Sequence, residues 1–192
     1  VFVAEVRDVI AEPRYDTVTL PTAGIGTLTF FSVPIGQGQS AYGAAGVAKT
    51  AADTNMELAG QLPNPYAFTI LAFRMMPSWN ITANDLRLAF NGCVFQLVIG
   101  AKPFLRVPAR TIPQGNGPSG SGTDLNSNGF PSMSNSFGIG RKPLTLSPTE
   151  NFTIQMLWPG LIVAVTTVIA GQGTAGLPIT IFQDGFLKRG AQ

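Results

Sequence analysis

Histidine is absent from this 192-residue chain, and cysteine occurs once, as Cys93. The first absence removes the commonest general base and the commonest zinc ligand. Together they exclude Ser-His-Asp and Cys-His nucleophilic sites, thiolate clusters and any internal disulfide. A lone cysteine opening the apolar run from Cys93 to Ile99 reads as a small buried hydrophobe. Charge is scarce as well. Asp, Glu, Lys and Arg make up 11% of the residues, less than half the usual share of about 25%. The net charge is +2, and the only adjacent basic pairs are Arg141-Lys142 and Lys188-Arg189. Without a basic stripe interleaved with aromatics, direct nucleic-acid binding has no support.

Long apolar runs are missing too. The most apolar stretch, Leu157 to Ala170, is short and holds Pro159, Gly160 and two threonines, so it does not read as a membrane span. Glu5, Arg7 and Asp8 stand where the apolar core of a secretory signal would lie, so no signal peptide is expected there. The sequon Asn80-Ile81-Thr82 therefore lacks a secretory context. No calcium loop of the D-x-[DN]-x-[DN]-G type occurs. Gly36-Gln37-Gly38 lacks the βαβ surroundings of a dinucleotide fingerprint. No cofactor and no metal is expected. With 45% apolar residues and a positive mean hydropathy, so little charge implies a surface that largely faces other protein.

What is present is short β-structure punctuated by 22 glycines and 15 prolines. The chain centres on Asp53 to Met76. Pro63 and Pro65 fix an extended or turned lead-in, and Tyr66 to Met75 follows as an aromatic and β-branched strand. Alternation places Phe68, Ile70, Ala72 and Met75 on one face, and Ala67, Thr69, Leu71 and Phe73 on the other. Both faces are largely apolar, so both are expected to be covered.

Taken in order, residues 2–11 read as a helix with Val3, Val6 and Ile10 on one side, stopped by Pro13. An edge strand at VFVAEV is the alternative. Residues 1–13 form an N-terminal arm or helix that docks on a neighbour or caps the domain. Residues 17–33 hold one or two strands, and residues 34–52 form a Gly/Ala-rich surface loop. Asp85 to Phe90 alternates, and Asn91-Gly92 turns it into Cys93 to Ile99 as a hairpin. A short strand runs from Phe104 to Val107. Leu144 and Leu146, then Phe152, Ile154, Met156 and Trp158, alternate with polar residues. Leu161 to Ala170 reads as a buried strand and Leu177 to Phe182 as the last one. Asp184-Gly185 reads as a turn. The expected core comprises Phe68, Ile70, Phe90, Phe95, Leu97, Phe152, Ile154, Val163 and Val165. The turn-punctuated strands read as an all-β sandwich or barrel, and the expected fold is a single eight-stranded jelly-roll sandwich with one long loop insertion and at most one short N-terminal helix.

That insertion, residues 113–140, is rich in Gly, Ser, Asn and Pro, and Asp124 is its only charge before Arg141. A loop this long inside one domain is usually functional or disordered, and a floppy surface loop is the alternative to an ordered one. Leu125, Phe130, Met133, Phe137 and Ile139 dot it with apolar groups. These five are the candidate subunit-interface residues, expected to anchor the loop on a neighbouring copy. No catalytic residue is assigned, and the chain is expected not to be an enzyme. A sandwich glycosidase would need two converging acids from Asp53, Glu57, Asp85, Asp124, Glu150 and Asp184. Glu150 beside Pro148 and Asp184 beside Gly185 read better as turn residues.

Three pieces of the chain carry a resemblance. They are Thr54-Asn55-Met56 with Ala59-Gly60-Gln61-Leu62-Pro63 before the YAFTILAFRM strand; Pro143-Leu144-Thr145-Leu146-Ser147-Pro148 before Glu150-Asn151-Phe152-Thr153-Ile154; and Ile181 to Arg189 at the close. Together they resemble the single jelly-roll capsid proteins of tailless icosahedral bacteriophages, including those with an internal membrane. The resemblance implies a virion protein, made in the host cytoplasm, that tiles an icosahedral shell. Its partners would be copies of itself, other capsid proteins and, in membrane-containing members, an internal viral membrane. A small-molecule substrate is not implied. The alternative is a carbohydrate- or receptor-binding β-sandwich, which would show aromatics and acids converging on one loop end.

Overall fold

The structure is a computed structural model; it describes residues 7–78, 82–112, 136–139, 142–166 and 175–190. Among the described residues, ten strands form two antiparallel sheets, with one α-helix. The strands are β1 (Arg7–Ala11), β2 (Arg14–Pro21), β3 (Thr27–Phe30), β4 (Ala67–Pro77), β5 (Val94–Ile99), β6 (Lys102–Pro108), β7 (Phe137–Gly138), β8 (Leu144–Leu146), β9 (Phe152–Leu157) and β10 (Gly176–Gly190). The helix α1 spans Ala83–Phe90.

Pairing is nested. β2 pairs with β10, β3 with β9, β4 with β8 and β5 with β6. The chain is thus one long antiparallel ladder, folded over so that β4 also pairs with β10 and β5 with β9. The result is a six-stranded sheet, with β1 and β2 sharing one edge of β10 and β7 and β8 sharing one edge of β4. The facing four-stranded sheet runs β3-β9-β5-β6. The two extra strands beyond the expected eight, β1 and β7, prolong edges that β2 and β8 begin.

The inner faces build the core. All nine expected core residues are buried, joined by Phe30, Phe31, Phe73, Met75 and Trp158 among others. The Phe73 and Phe95 rings meet edge-on across the two sheets, with centroids 5.3 Å apart.

β4 departs from simple alternation. Ala72 lies opposite Asp184 while Ile70 lies opposite Gly185, so Leu71 is an extra residue in the β4 ladder. A bulge of this kind reverses which parity faces inward. Phe68 and Ile70 face the core before it, and Phe73 and Met75 after it, all four fully buried. Phe73 therefore belongs to the inner face, not the outer one that strict alternation assigned.

Other expectations are corrected. Residues 7–11 are a strand, not a helix, because the lower half of β10 has a free edge that only extended chain can pair. Asp85 to Phe90 is helical. Thr82 caps it, its hydroxyl accepting from the Asp85 N–H at 3.1 Å. Asp85, Ala89 and Phe90 are buried with Leu86 against them, a helical spacing that the Leu86/Leu88/Phe90 alternation obscured. Asn91-Gly92 is accordingly a helix-to-strand turn, with Gly92 at φ +75°. From Leu161 to Thr166 the chain is irregular, with one bridge between Val163 and Ile25. Asp184-Gly185 does not turn; β10 runs straight through it for fifteen residues. A Cβ on Gly185 would collide with the Thr69 carbonyl oxygen, so glycine lets the two strands close up beside the bulge.

Candidate interaction surfaces

The connection from β3 to β4 is a strap around the β2 edge, not a plain surface loop. Residues 53–55 lie along β2. Thr17 N–H donates to the Asp53 carbonyl at 2.8 Å, and Asn55 N–H donates to the Tyr15 carbonyl at 3.3 Å. The Asn55 side-chain oxygen accepts from Tyr15 N–H at 3.0 Å. These bonds close a strand edge that would otherwise be open to another chain.

Two buried acids fasten the strap. Asp16 takes the Lys49 ammonium at 2.6 Å and the Phe31 N–H at 2.6 Å. Lys49 also donates to the Thr17 carbonyl at 2.9 Å. Phe31 has φ 65°, a conformation costly for an aromatic residue and held here by that acid. Burial raises the Asp16 carboxyl above its ordinary range, against the opposing pull of Lys49 and the Phe31 N–H. Asp53 accepts from Ser40 Oγ, Ala41 N–H, Thr50 N–H and Thr50 Oγ1. Burial alone would raise this carboxyl too, but those donors outweigh it and hold it below the usual range. The strap then reaches the outer face of the six-stranded sheet, where the Tyr42 hydroxyl meets Thr180 Oγ1 at 3.4 Å and Thr180 meets Thr17 at 2.8 Å.

Among the described residues, only half of that outer face is covered. Beyond Phe182, Arg74 and Asp184 form a two-pronged ion pair, 2.6 and 2.7 Å. The Arg74 guanidinium also lies 4.8 Å from the centre of the Phe182 ring. Next to this pair is an open groove of about 340 Å³, lined by Ala11, Pro13, Leu71, Gly185 and Phe186 besides the pair itself. Phe186 and neighbouring Val9 are 41% and 59% exposed.

A second surface lies at the end of the sandwich where β10 begins. There Val163 and Ile25 exchange backbone hydrogen bonds, Trp158 N–H donates to the Gly26 carbonyl, and Trp158 Nε1 donates to the Ala89 carbonyl. Asp85 accepts from Thr166 N–H and Oγ1. This framework holds Leu161 and Ile162 out in solvent, 55% and 78% exposed.

Of the five loop residues expected at a subunit contact, Phe137 and Ile139 pack against this chain's own core. Phe137 pairs with Phe73, and Ile139 N–H donates to the Leu71 carbonyl. Leu125, Phe130 and Met133 lie outside the described residues, as does Asp124. The other candidate acids sit in separate places. Asp53 is buried within the strap, Glu57 is exposed, Asp85 is in the end framework, Asp184 is on the outer face, and Glu150 accepts from Ser147 N–H in a turn. Among the described residues no three His, Cys, Asp or Glu side chains gather as a metal site. No described helix is long and apolar enough to cross a membrane. Burial pushes the Cys93 thiol up to about 12, which keeps it protonated at neutral pH.

Asp16, Lys49 and Arg74 were not singled out from sequence. Their partners are 33 and 110 residues away, a separation that no local spacing encodes. The Thr50-x-x-Asp53 and Thr82-x-x-Asp85 spacings were readable, since both are capping-type motifs.

Compared with known proteins, the chain matches no family model, no curated protein and no solved structure.

Proposed function

We propose that this protein is a structural subunit, a single jelly roll that assembles with copies of itself into a closed shell of the viral capsid kind. The observation that carries this reading is apolar surface left in water at several places, among them Val9 and Phe186 beside the outer-face groove, the Leu161–Ile162 tip, and Phe104 on β6. Monomeric proteins seldom leave such patches uncovered, and contacts between copies are the usual reason for them. The nested pairing supports the jelly-roll part, because two Greek keys wound from one long ladder give that strand order. The scarcity of charge supports burial against neighbours. The subunit is proposed to act without catalysis, through its surfaces alone.

A carbohydrate-binding module would instead present aromatics and acids together at a loop end. At the framed end of this sandwich Trp158 and Asp85 are both buried and committed to structure, which gives that reading no specific support. The test is light scattering over a hundredfold range of concentration, followed by negative-stain electron microscopy. Concentration-dependent growth into closed particles is expected. A protein that stays monomeric throughout the range rules the shell reading out.

A further inference from the structure

We propose that a buried water site is built into the β2–β10 side of the core, where water bridges the side chains of Arg14 and Gln183. The site belongs to the single chain and does not rest on the shell reading.

It starts from a break in a pattern. Along β10, Leu177, Ile179, Ile181 and Leu187 turn aliphatic side chains into the core. Gln183 stands at the same parity and brings an amide among them, fully buried. Neither its Oε1 nor its Nε2 has a hydrogen-bond partner among the described residues. An aliphatic side chain would fill such a place without stranding polar atoms, so the amide there calls for a polar partner.

The register narrows where that partner lies. Arg14 of β2 is directly opposite Gln183 on one side, and Phe73 of β4 on the other. Phe73 offers only a ring. Arg14 is buried as well, and its Nε has no partner among the described residues. Cross-strand neighbours of this kind hold their Cβ atoms about 4.5–5.5 Å apart. An unmet donor and an unmet amide thus share one small region, yet no direct hydrogen bond joins them. That is the circumstance in which a bridging water completes a polar contact.

The chemistry of the set selects the guest. An anion would serve Arg14 Nε and strand Gln183 Oε1. A metal cation would serve Oε1 and be repelled by the guanidinium. Water accepts from Nε and donates to Oε1. Gln183 Nε2 is then left for the Phe73 side, where a ring face can serve as a weak acceptor.

The bridge also reaches the strap. Arg14 Nη1 donates to the Asn55 carbonyl at 3.0 Å, and the Asn55 side chain holds Tyr15 N–H. Gln183, water, Arg14 and Asn55 therefore form one polar chain from the core to the covered edge of β2.

The test is NMR on the isotopically labelled full chain, at a concentration where it is monomeric. Cross-peaks from a long-lived bound water to the Arg14 Nε proton and to the Gln183 side-chain amide protons are expected. Their absence at both groups overturns the proposal. As a second arm, Q183M keeps the side-chain length and removes the amide. It should leave Arg14 Nε unmet, lower the denaturation midpoint and speed hydrogen exchange at Tyr15 N–H. A midpoint that is unchanged or raised would mean that the amide had no partner to lose, and the water bridge would be wrong. Neither arm depends on self-assembly, so the shell reading stands or falls separately.

Discussion

The outer face of the six-stranded sheet consists of two unlike halves. Over the half where β2 pairs with β10, the chain lays its own strap, and Thr17 and Thr180 are buried beneath it. Over the half where β1 pairs with β10, nothing described covers Val9 or Phe186. Both halves belong to the same strands, so backbone pairing does not explain the contrast. Polar anchoring does. The covered half has two buried acids to hold the strap down, whereas the open half has the Arg74–Asp184 pair, whose members satisfy each other, and a looser Asp8–Arg189 pair at 3.8 Å. The molecule spends its buried charge where its own chain must stay put and leaves an apolar, charge-balanced surface elsewhere.

The contrast can be broken from the covered side first. Asp16→Ala leaves Lys49 buried without its carboxylate, which should cost about 3–5 kcal/mol. Chemical denaturation of the monomer would show this as a lower midpoint. Replacing both partners together, D16L/K49M, should recover much of that loss, because no charge is then stranded. At the border between the halves, Gly185→Ala forces a methyl group against the Thr69 carbonyl and should cost about 1–3 kcal/mol, as overpacking does. The same midpoint reads it.

Acidity sharpens the contrast with a smaller effect. Asp53 has a folded pKa below its ordinary, unfolded value, so its contribution is complete above the unfolded value and fades as pH falls through the lowered one. Asp16 has the opposite sign. Its folded pKa is raised, so its contribution is complete below the unfolded value and fades as pH rises through the raised one. Asp53→Asn should therefore flatten the loss of thermal stability on the acid side, measured as Tm against pH. Equal acid-side slopes for the two proteins would remove Asp53 as the cause. The smallest effect on the fold is expected on the open half. Phe186→Ser should leave monomer stability within about 0.5 kcal/mol and lower self-association. A large loss of stability with unchanged association would mean that the open half is ordinary core rim.

Much of the architecture was legible because alternation is a local signal. Leu144 to Leu146, Phe152 to Trp158 and the core positions of β5 follow the period of two, and burial agrees with them. The misreadings share one cause, which is competition from distant partners. Residues 7–11 become a strand because β10, at the far end of the chain, needs a partner. The bulge at Leu71 is fixed by the close approach of Gly185, more than a hundred positions on. Helix α1 is the exception, since Thr82-x-x-Asp85 marked its start locally while the leucine alternation pointed the other way. The candidate surfaces were legible only as a shortage of charge. Of the interface residues expected on 113–140, Phe137 and Ile139 pack on their own sheet and the other three lie outside the described residues, while the exposed large apolar groups include Val9, Phe104, Leu161, Ile162 and Phe186.

The margins of the two sheets set limits on how copies can meet. The β2 margin is sealed by residues 53–55. The β6 margin carries Pro103 and Pro108 and a register shift that leaves Phe104 unmatched. β7 and β8 are two and three residues long. Prolines, irregular ladders and short strands all discourage strand-to-strand annealing. In the proposed assembly these margins would meet neighbours through side-chain fit, and fits of that kind can come apart and form again, so a growing particle could discard a misplaced member.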